Sequence, residues 1–358
     1  MRILQICSAH SIGGGERHVI DLSSSLTQRG HDVFAAVGPG SPVAARLSAL
    51  PRENIGVFRL RNALDVRSAI AIGKFARENK IEMISAHIAK DYPIAALAAR
   101  RAGVPFTITR HVLFPMNRLH RTLLRNVSYV IAPSNAVADN LRRERVFPQE
   151  KIITIRHGLD IERFPEPVRT HHDSMVVGTI GNLDPVKGFD ILIHAAKSVA
   201  DTMPDVEFKI VGEDRSRRHH NEKGLRDLIA RLDIQDSVTI AELSDDIQST
   251  LAGFDLFVSA SRSESFGLVI AEAMLSGIPV IATATEGAKE IISDPSLGQL
   301  VPIGSAQALA EGIAALLRNP NKREQFAISG RANVLKNFSL HRMVDETEAL
   351  YHRVLDSK

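Results

Sequence analysis

Two glutamates, Glu264 and Glu272, bracket an otherwise small and apolar run in SESFGLVIAE. An acid just before a helix favours the positive end of its dipole, and a second acid further along can simply face solvent. The residues between them suggest a more specific use. Gly267 opens a helical pattern over residues 267–277, and the first N–H groups of such a helix, unpaired within it, suit a diphosphate. An ionised acid beside a diphosphate is repelled, so both glutamates are better matched to neutral hydroxyls. Hydroxyl-binding acids on either side of a phosphate site describe a nucleotide sugar.

Three further loops carry residue types suited to the same chemistry. SIGGGERH (residues 11–18) lies between a strand and a helix, and its glycines, among them Gly14 and Gly15, let backbone approach a ligand or simply form a tight turn. Dinucleotide binding is disfavoured, because His18 stands where the third fingerprint glycine belongs and Gly38-Pro39-Gly40 replaces the ribose-binding acid. GNLDPVKG (residues 181–188) places Lys187 after a strand and before a helix, where a cation can face phosphate or lie on the surface. FKIVGEDR (residues 208–215) adds a strand-end glycine turn at Gly212, and His111 follows the strand-like FTITR. Cys and His residues show no zinc-type spacing, so Lys187 and helix N-termini are the groups expected to meet a diphosphate.

These loops need a scaffold of alternating strands and helices. RILQIC, DVFAAV, MISAHI, FTITR and YVIAP read as strands, with HVIDLSSSLTQRG and PIAALAARRAG as helices between them. The pattern restarts with MVVGTIG, EFKIVG, SVTIA, LFVSA and PVIAT, again interleaved with helical runs. Such alternation predicts α/β domains with parallel sheets, two doubly wound units whose strand ends line a shared cleft. The expected division is an acceptor domain over 1–165, a donor domain over 174–338 and a C-terminal helix over 339–358 that packs back on the first domain. ERFPEPVRTHHDS (residues 162–174), with two prolines and mixed charge, reads as the linker.

Bulk composition agrees with a soluble two-domain protein of 358 residues, 44% apolar and 24% charged. One cysteine, Cys7, excludes a disulfide framework and suggests a reducing compartment. The N-terminus lacks a signal-peptide pattern and no run reaches membrane-spanning length. A net charge of +3 lacks the strong bias of nucleic-acid binders. The expectation is a cytoplasmic protein.

Taken in order, GGGE, TRHVLFP, PSNAVADNL, IRHGLDIERF, GNLDPVKG, VGED, the E-x7-E segment and GIPVIAT resemble the GT-B retaining glycosyltransferases of family GT4 over essentially the whole chain. The resemblance implies that Glu264 contacts the donor sugar and Glu272 the nucleotide ribose. It implies that Gly14 and Gly15 approach the donor phosphate, that Lys187 neutralises it, and that backbone at Phe266, Gly267, Leu268 and Val269 holds sugar and diphosphate. Asn182 and Gly212 fall among the donor-binding positions, and His111 faces the reacting sugar. Two residues depart from the family pattern: Asn182 stands where arginine is common, and His157 where asparagine is frequent. The implied reaction is metal-independent transfer of a hexosyl unit from a nucleotide sugar, with UDP the commonest base in the family, to a glycan or lipid-linked acceptor. The leaving phosphate accepts the acceptor's proton, and no cofactor beyond the donor is needed. A GT-B UDP-sugar epimerase and a non-catalytic nucleotide-sugar-binding protein are the alternatives.

Between Asp91 and Asp139 there is no acid, while Arg100, Arg101, Arg110, Arg118, Arg121 and Arg125 all occur there. In NRLHRTLLRN the last three share one helical face, with Leu119 and Leu123 on another. With Phe114 and Met116 nearby, this predicts a transient contact with an anionic membrane or lipid-linked acceptor, set against a solvated helix with its leucines in the core.

Overall fold

The run RILQIC forms strand β1 (Arg2–Cys7), buried at five of six positions, as a strand covered by helices on both faces must be. In the computed structural model, which describes residues 1–116, 119–165, 174–242 and 246–357, the chain divides into two units. The first comprises Met1–Gly158 with Leu340–Lys358, and the second Leu159–Ser339.

In the first unit, β1 is followed by β2 (Asp32–Val37), β3 (Ile55–Val57), β4 (Met83–Ala86), β5 (Phe106–Thr109), β6 (Val130–Ala132) and β7 (Ile152–Thr154). They form one parallel sheet of order β3-β2-β1-β4-β5-β6-β7. Leu4 lies beside Phe34 on one side and Ile84 on the other. The order reverses between β1 and β4, and ligands bind beyond the carboxyl ends of strands at such a switch point. One face of this sheet is completed by the last helix, Leu340–Asp356, whose Met343, Val344, Leu350, Tyr351 and Val354 join the core against Ile3, Val33 and Met83.

The second unit contains β8 (Met175–Ile180), β9 (Val206–Val211), β10 (Val238–Ala241), β11 (Leu256–Ser259), β12 (Val280–Thr283) and β13 (Gln299–Val301), parallel in the order β10-β9-β8-β11-β12-β13. Its switch point lies between β8 and β11.

Several boundaries differ from the sequence reading. Residues 159–165, assigned above to the first domain, pack with the second unit, where Leu159 and Phe164 are buried in its core. Most of the expected linker, residues 166–173, lies outside the described residues. β3, β7 and β13 were not anticipated. Each has three residues and lies at a sheet edge, too short to display a period.

Candidate active site

At the switch point of the second sheet, the loop after β8 carries Lys187 and the loop after β11 carries Glu264. Lys187 closes a 3-10 turn, Pro185–Lys187, and its Nζ donates to Glu264 Oε2 at 2.7 Å, with the side chains 27% and 15% exposed. The expected phosphate-facing cation and the expected sugar-facing acid are thus each other's partners. Arg262, absent from the sequence reading, ties the two loops together. Its N–H donates to Val186 O at 2.7 Å. Its guanidinium donates to Pro185 O at 2.7 Å and to both carboxylate oxygens of Asp190 at 2.8 and 2.6 Å. The Arg262 hydrogen bond holds the Asp190 carboxyl below the usual carboxylate range.

The helix that follows spans Leu268–Leu275 and is capped by Gly267 at φ +98°, a left-handed conformation that strains any residue with a Cβ. The N–H groups of Leu268 and Val269 occupy its first two positions and point away from any intrahelical acceptor. The Phe266 side chain is buried, edge-on to Phe338 at 5.5 Å between centroids, so this residue offers the site its backbone. Glu272, the fifth residue of the helix, is fully buried. Gly212 and Asn182 lie in adjacent strand-end turns. A Cβ on Gly212 would fall 1.9 Å from the carbonyl oxygen of Gly181, which gives that glycine a packing reason of its own. Asn182 is half-buried.

In the first unit, the helix Gly14–Gln28 starts beyond β1, and the Glu16 carboxylate accepts the Gly13 N–H at 2.8 Å. Asp91, fully buried, accepts Ser8 N–H at 2.8 Å and Ser8 O–H at 2.5 Å, fixing the start of the same loop. The space left by the missing side chain of Gly15 is taken by His111, whose ring lies 3.1 Å from where a Cβ would be.

Around His111 the fold gathers three more histidines, all from strand ends or the helix after β1. Ring centroids lie at 4.9 Å for His18–His111 and for His18–His157, 5.6 Å for His111–His157, 5.7 Å for His18–His87 and 6.0 Å for His87–His111. His18, His87 and His157 are buried. Desolvation by burial holds all four imidazoles neutral, lowering His18 to about 4 and the others well below the ordinary value. His87 was missed in the sequence, where AHIAKD matches no motif. The cluster itself escaped notice because its members lie far apart in the chain.

The basic segment departs from expectation. Its helix spans Leu119–Leu123 among the described residues, and Arg125 lies in the turn beyond it, off the helical face. Arg118 lies outside the described residues. Leu119, Leu123 and Phe114 are exposed rather than in the core, whereas Met116 is buried. Arg121 and Arg125 are exposed. Arg110 is buried, donating to Phe114 O.

Two family profiles match consecutive stretches of the chain: Glycosyltransferase Family 4 over residues 12–163 and Glycosyl transferases group 1 over residues 160–333. The chain is 28% identical to the phosphatidyl-myo-inositol mannosyltransferase of Mycobacterium tuberculosis, over 93% of this chain and 92% of that one. It is 25% identical to the lipopolysaccharide core biosynthesis glycosyltransferase LpsE of Rhizobium meliloti, over 97% and 96%. The crystal structure of Anabaena HepE in complex with UDP-glucose superposes with a TM-score of 0.86 at 26% identity, covering 98% of this chain and all of that one. The protein therefore belongs to the family 4 glycosyltransferases and has their GT-B fold of two Rossmann-like units.

Proposed function

We propose that the protein is a retaining, metal-independent hexosyltransferase that takes its sugar from UDP and delivers it to a glycan or lipid-linked acceptor of the cell envelope. The observation that carries this reading is the 2.7 Å pair of Lys187 and Glu264 at the switch point of the second sheet, beside a helix start and the buried Glu272. The donor diphosphate replaces Glu264 as the partner of Lys187 and accepts the N–H groups of Leu268 and Val269. Glu264, released from the lysine, accepts a hydroxyl of the sugar and orients it. Glu272 takes the ribose hydroxyls.

As the glycosidic bond to the leaving phosphate breaks, charge grows on the diphosphate where Lys187 and the helix dipole already point. The acceptor oxygen attacks from the same face and its proton passes to the leaving phosphate. Gly14, Gly15 and His111 are the first unit's contribution, with His111 assigned to the reacting sugar. UDP as the base is supported by the UDP-glucose complex of HepE, and a lipid-linked or glycan acceptor by the mannosyltransferase and core-glycosyltransferase relatives.

A panel of nucleotide sugars tests the donor. Ligand at one hundred times its Kd stabilises a protein by about 2.7 kcal/mol, so the true donor should raise Tm measurably. UDP-sugars are expected to do so and GDP-sugars are not. Stabilisation by GDP-sugars alone would reassign the base, and none by any nucleotide sugar would refute the transferase reading.

A further inference from the structure

We propose that His18, His87 and His111 form a binding site for a divalent transition-metal ion of the zinc class. Each of the three offers one ring nitrogen, and these nitrogens lie within 4.8 Å of one another. His18 and His87 are buried, and His111 is partly buried. A zinc ion at about 2.0–2.1 Å from each nitrogen sets them roughly 3.3 Å apart, so modest side-chain rotation closes the site.

Three features mark the cluster as a ligand set rather than packed core. The Nδ1 atoms of His18 and His87 and both ring nitrogens of His111 are buried with no hydrogen-bond partner among the described residues. A buried polar atom left without a partner is destabilising, and a metal bond to one nitrogen of each ring would relieve this. His87 is also oriented from behind. Its Nε2 lies 2.7 Å from Gln5 Oε1; that oxygen can only accept, so Nε2 carries the proton and Nδ1 presents a lone pair. A hydrogen bond of this kind behind a histidine fixes ligand orientation in metal sites. Finally, the donor set is three nitrogens with no carboxylate. That set suits zinc, copper, nickel or cobalt and not magnesium or calcium. The ion would therefore not serve as a counter-ion for the diphosphate. By engaging His111 it would instead inhibit transfer reversibly, a consequence that rests on the role proposed above for His111.

The test uses the full chain, stripped with EDTA and dialysed, then titrated with Co2+ in the visible range. One equivalent of Co2+ should give intense d–d bands of low coordination number, displaced by Zn2+ and untouched by excess Mg2+. His18→Gln and His87→Gln should abolish the bands, and Gln5→Leu should weaken Co2+ binding about 10–100-fold. His157→Asn, which keeps all three ligands, should retain them. Metal-free thermal unfolding of each variant establishes that it is folded. No bands in the parent protein, or bands of equal strength in folded His18→Gln and His87→Gln, overturn the site. Binding does not depend on turnover, so the two readings fail separately. Co2+ bound without inhibition removes His111 from the reaction and leaves the metal site standing. Active enzyme that binds no Co2+ removes the metal site alone.

Discussion

Lys187 and Glu264 neutralise one another at 2.7 Å, and this pairing makes their mutants diverge. Losing a charge-assisted contact to phosphate costs on the order of 1.5–3 kcal/mol, so Lys187→Ala should weaken UDP binding roughly ten- to a hundredfold. Glu264→Gln removes the acid that competes with phosphate for the lysine. It should leave UDP affinity equal or higher by calorimetry while donor turnover collapses. Weaker UDP binding in Glu264→Gln would show that the pair does not open for the donor. The placement of Lys187 and Glu264 in strand-end loops was legible in the sequence, because a glycine-flanked loop after a strand is a local signal. Their direct contact was not, since it joins residues from two loops across the switch point. The histidines repeat that lesson and add a second prediction. An unfolded histidine takes up its proton near pH 6.5, whereas these four stay neutral when folded, His18 down to about 4. Below about pH 6.5 the unfolded chain binds more protons, so stability falls with pH by roughly 1.4 kcal/mol per unit for each such residue. Urea unfolding in EDTA between pH 7 and 5 should show this decline, and His157→Asn should make it shallower by one proton. An unchanged slope in that variant would mean that His157 is already protonated in the folded protein.

At the scale of elements, the second unit's site depends on how two loops are held. Arg262 spans them through Pro185 O, Val186 O and Asp190. Arg262 and Asp190 are over 40% exposed, and exposed pairs contribute about 0–1 kcal/mol to stability, so the clamp acts on position more than on folding. Arg262→Ala should raise the donor KM several-fold with Tm nearly unchanged, and Arg262→Lys, which cannot form the bidentate fork, should recover little of the loss. Equal KM in Arg262→Ala would place Lys187 by its own turn alone. The sequence hides this arginine because nothing in SRSESFG marks its partners, 72 and more residues away. The segment after β5 shows the opposite failure: its residue types were read correctly and its helix overextended. With Phe114, Leu119 and Leu123 exposed beside Arg121 and Arg125, it presents apolar and basic groups together, as a surface that meets anionic lipid would. Each basic residue near such a surface is worth about 1 kcal/mol and is screened by salt. Vesicles containing phosphatidylglycerol should sediment the protein at low salt, and neutral vesicles should not. Changing Phe114, Arg121 and Arg125 together to Ser should abolish the effect; binding that survives points to another surface.

For the whole molecule, no described helix is long and apolar enough to cross a membrane, and the chain's largest organisational feature is that its end belongs with its beginning. The helix Leu340–Asp356 is amphipathic in sequence, and the apolar spacing in SLHRMVDETEALYHRVL predicted that it would pack on the first domain. The partners of its polar residues were not predictable, because they lie some three hundred positions upstream. Arg29 bonds Asp345 at 2.7 Å and Glu348 at 2.6 Å, and His31 meets Glu348 at 2.7 Å. Tyr351 is fully buried and donates to Ser85 Oγ at 3.1 Å, on strand β4 one residue from the switch-point end. Truncating a large buried aromatic costs about 3–5 kcal/mol, a large part of the 5–15 kcal/mol that typically separates folded from unfolded states. Tyr351→Ala should therefore lower the first unit's stability by several kcal/mol, whereas Tyr351→Phe should cost about 1 kcal/mol for the hydrogen bond. The affected unit can be read separately by hydrogen exchange. Amides of β1 and β4 should lose protection in Tyr351→Ala, while those of β8 and β11 in the second unit keep theirs. Uniform loss across both sheets would mean that the two units unfold together, and no loss in β1 and β4 would mean that the final helix is dispensable to the first core.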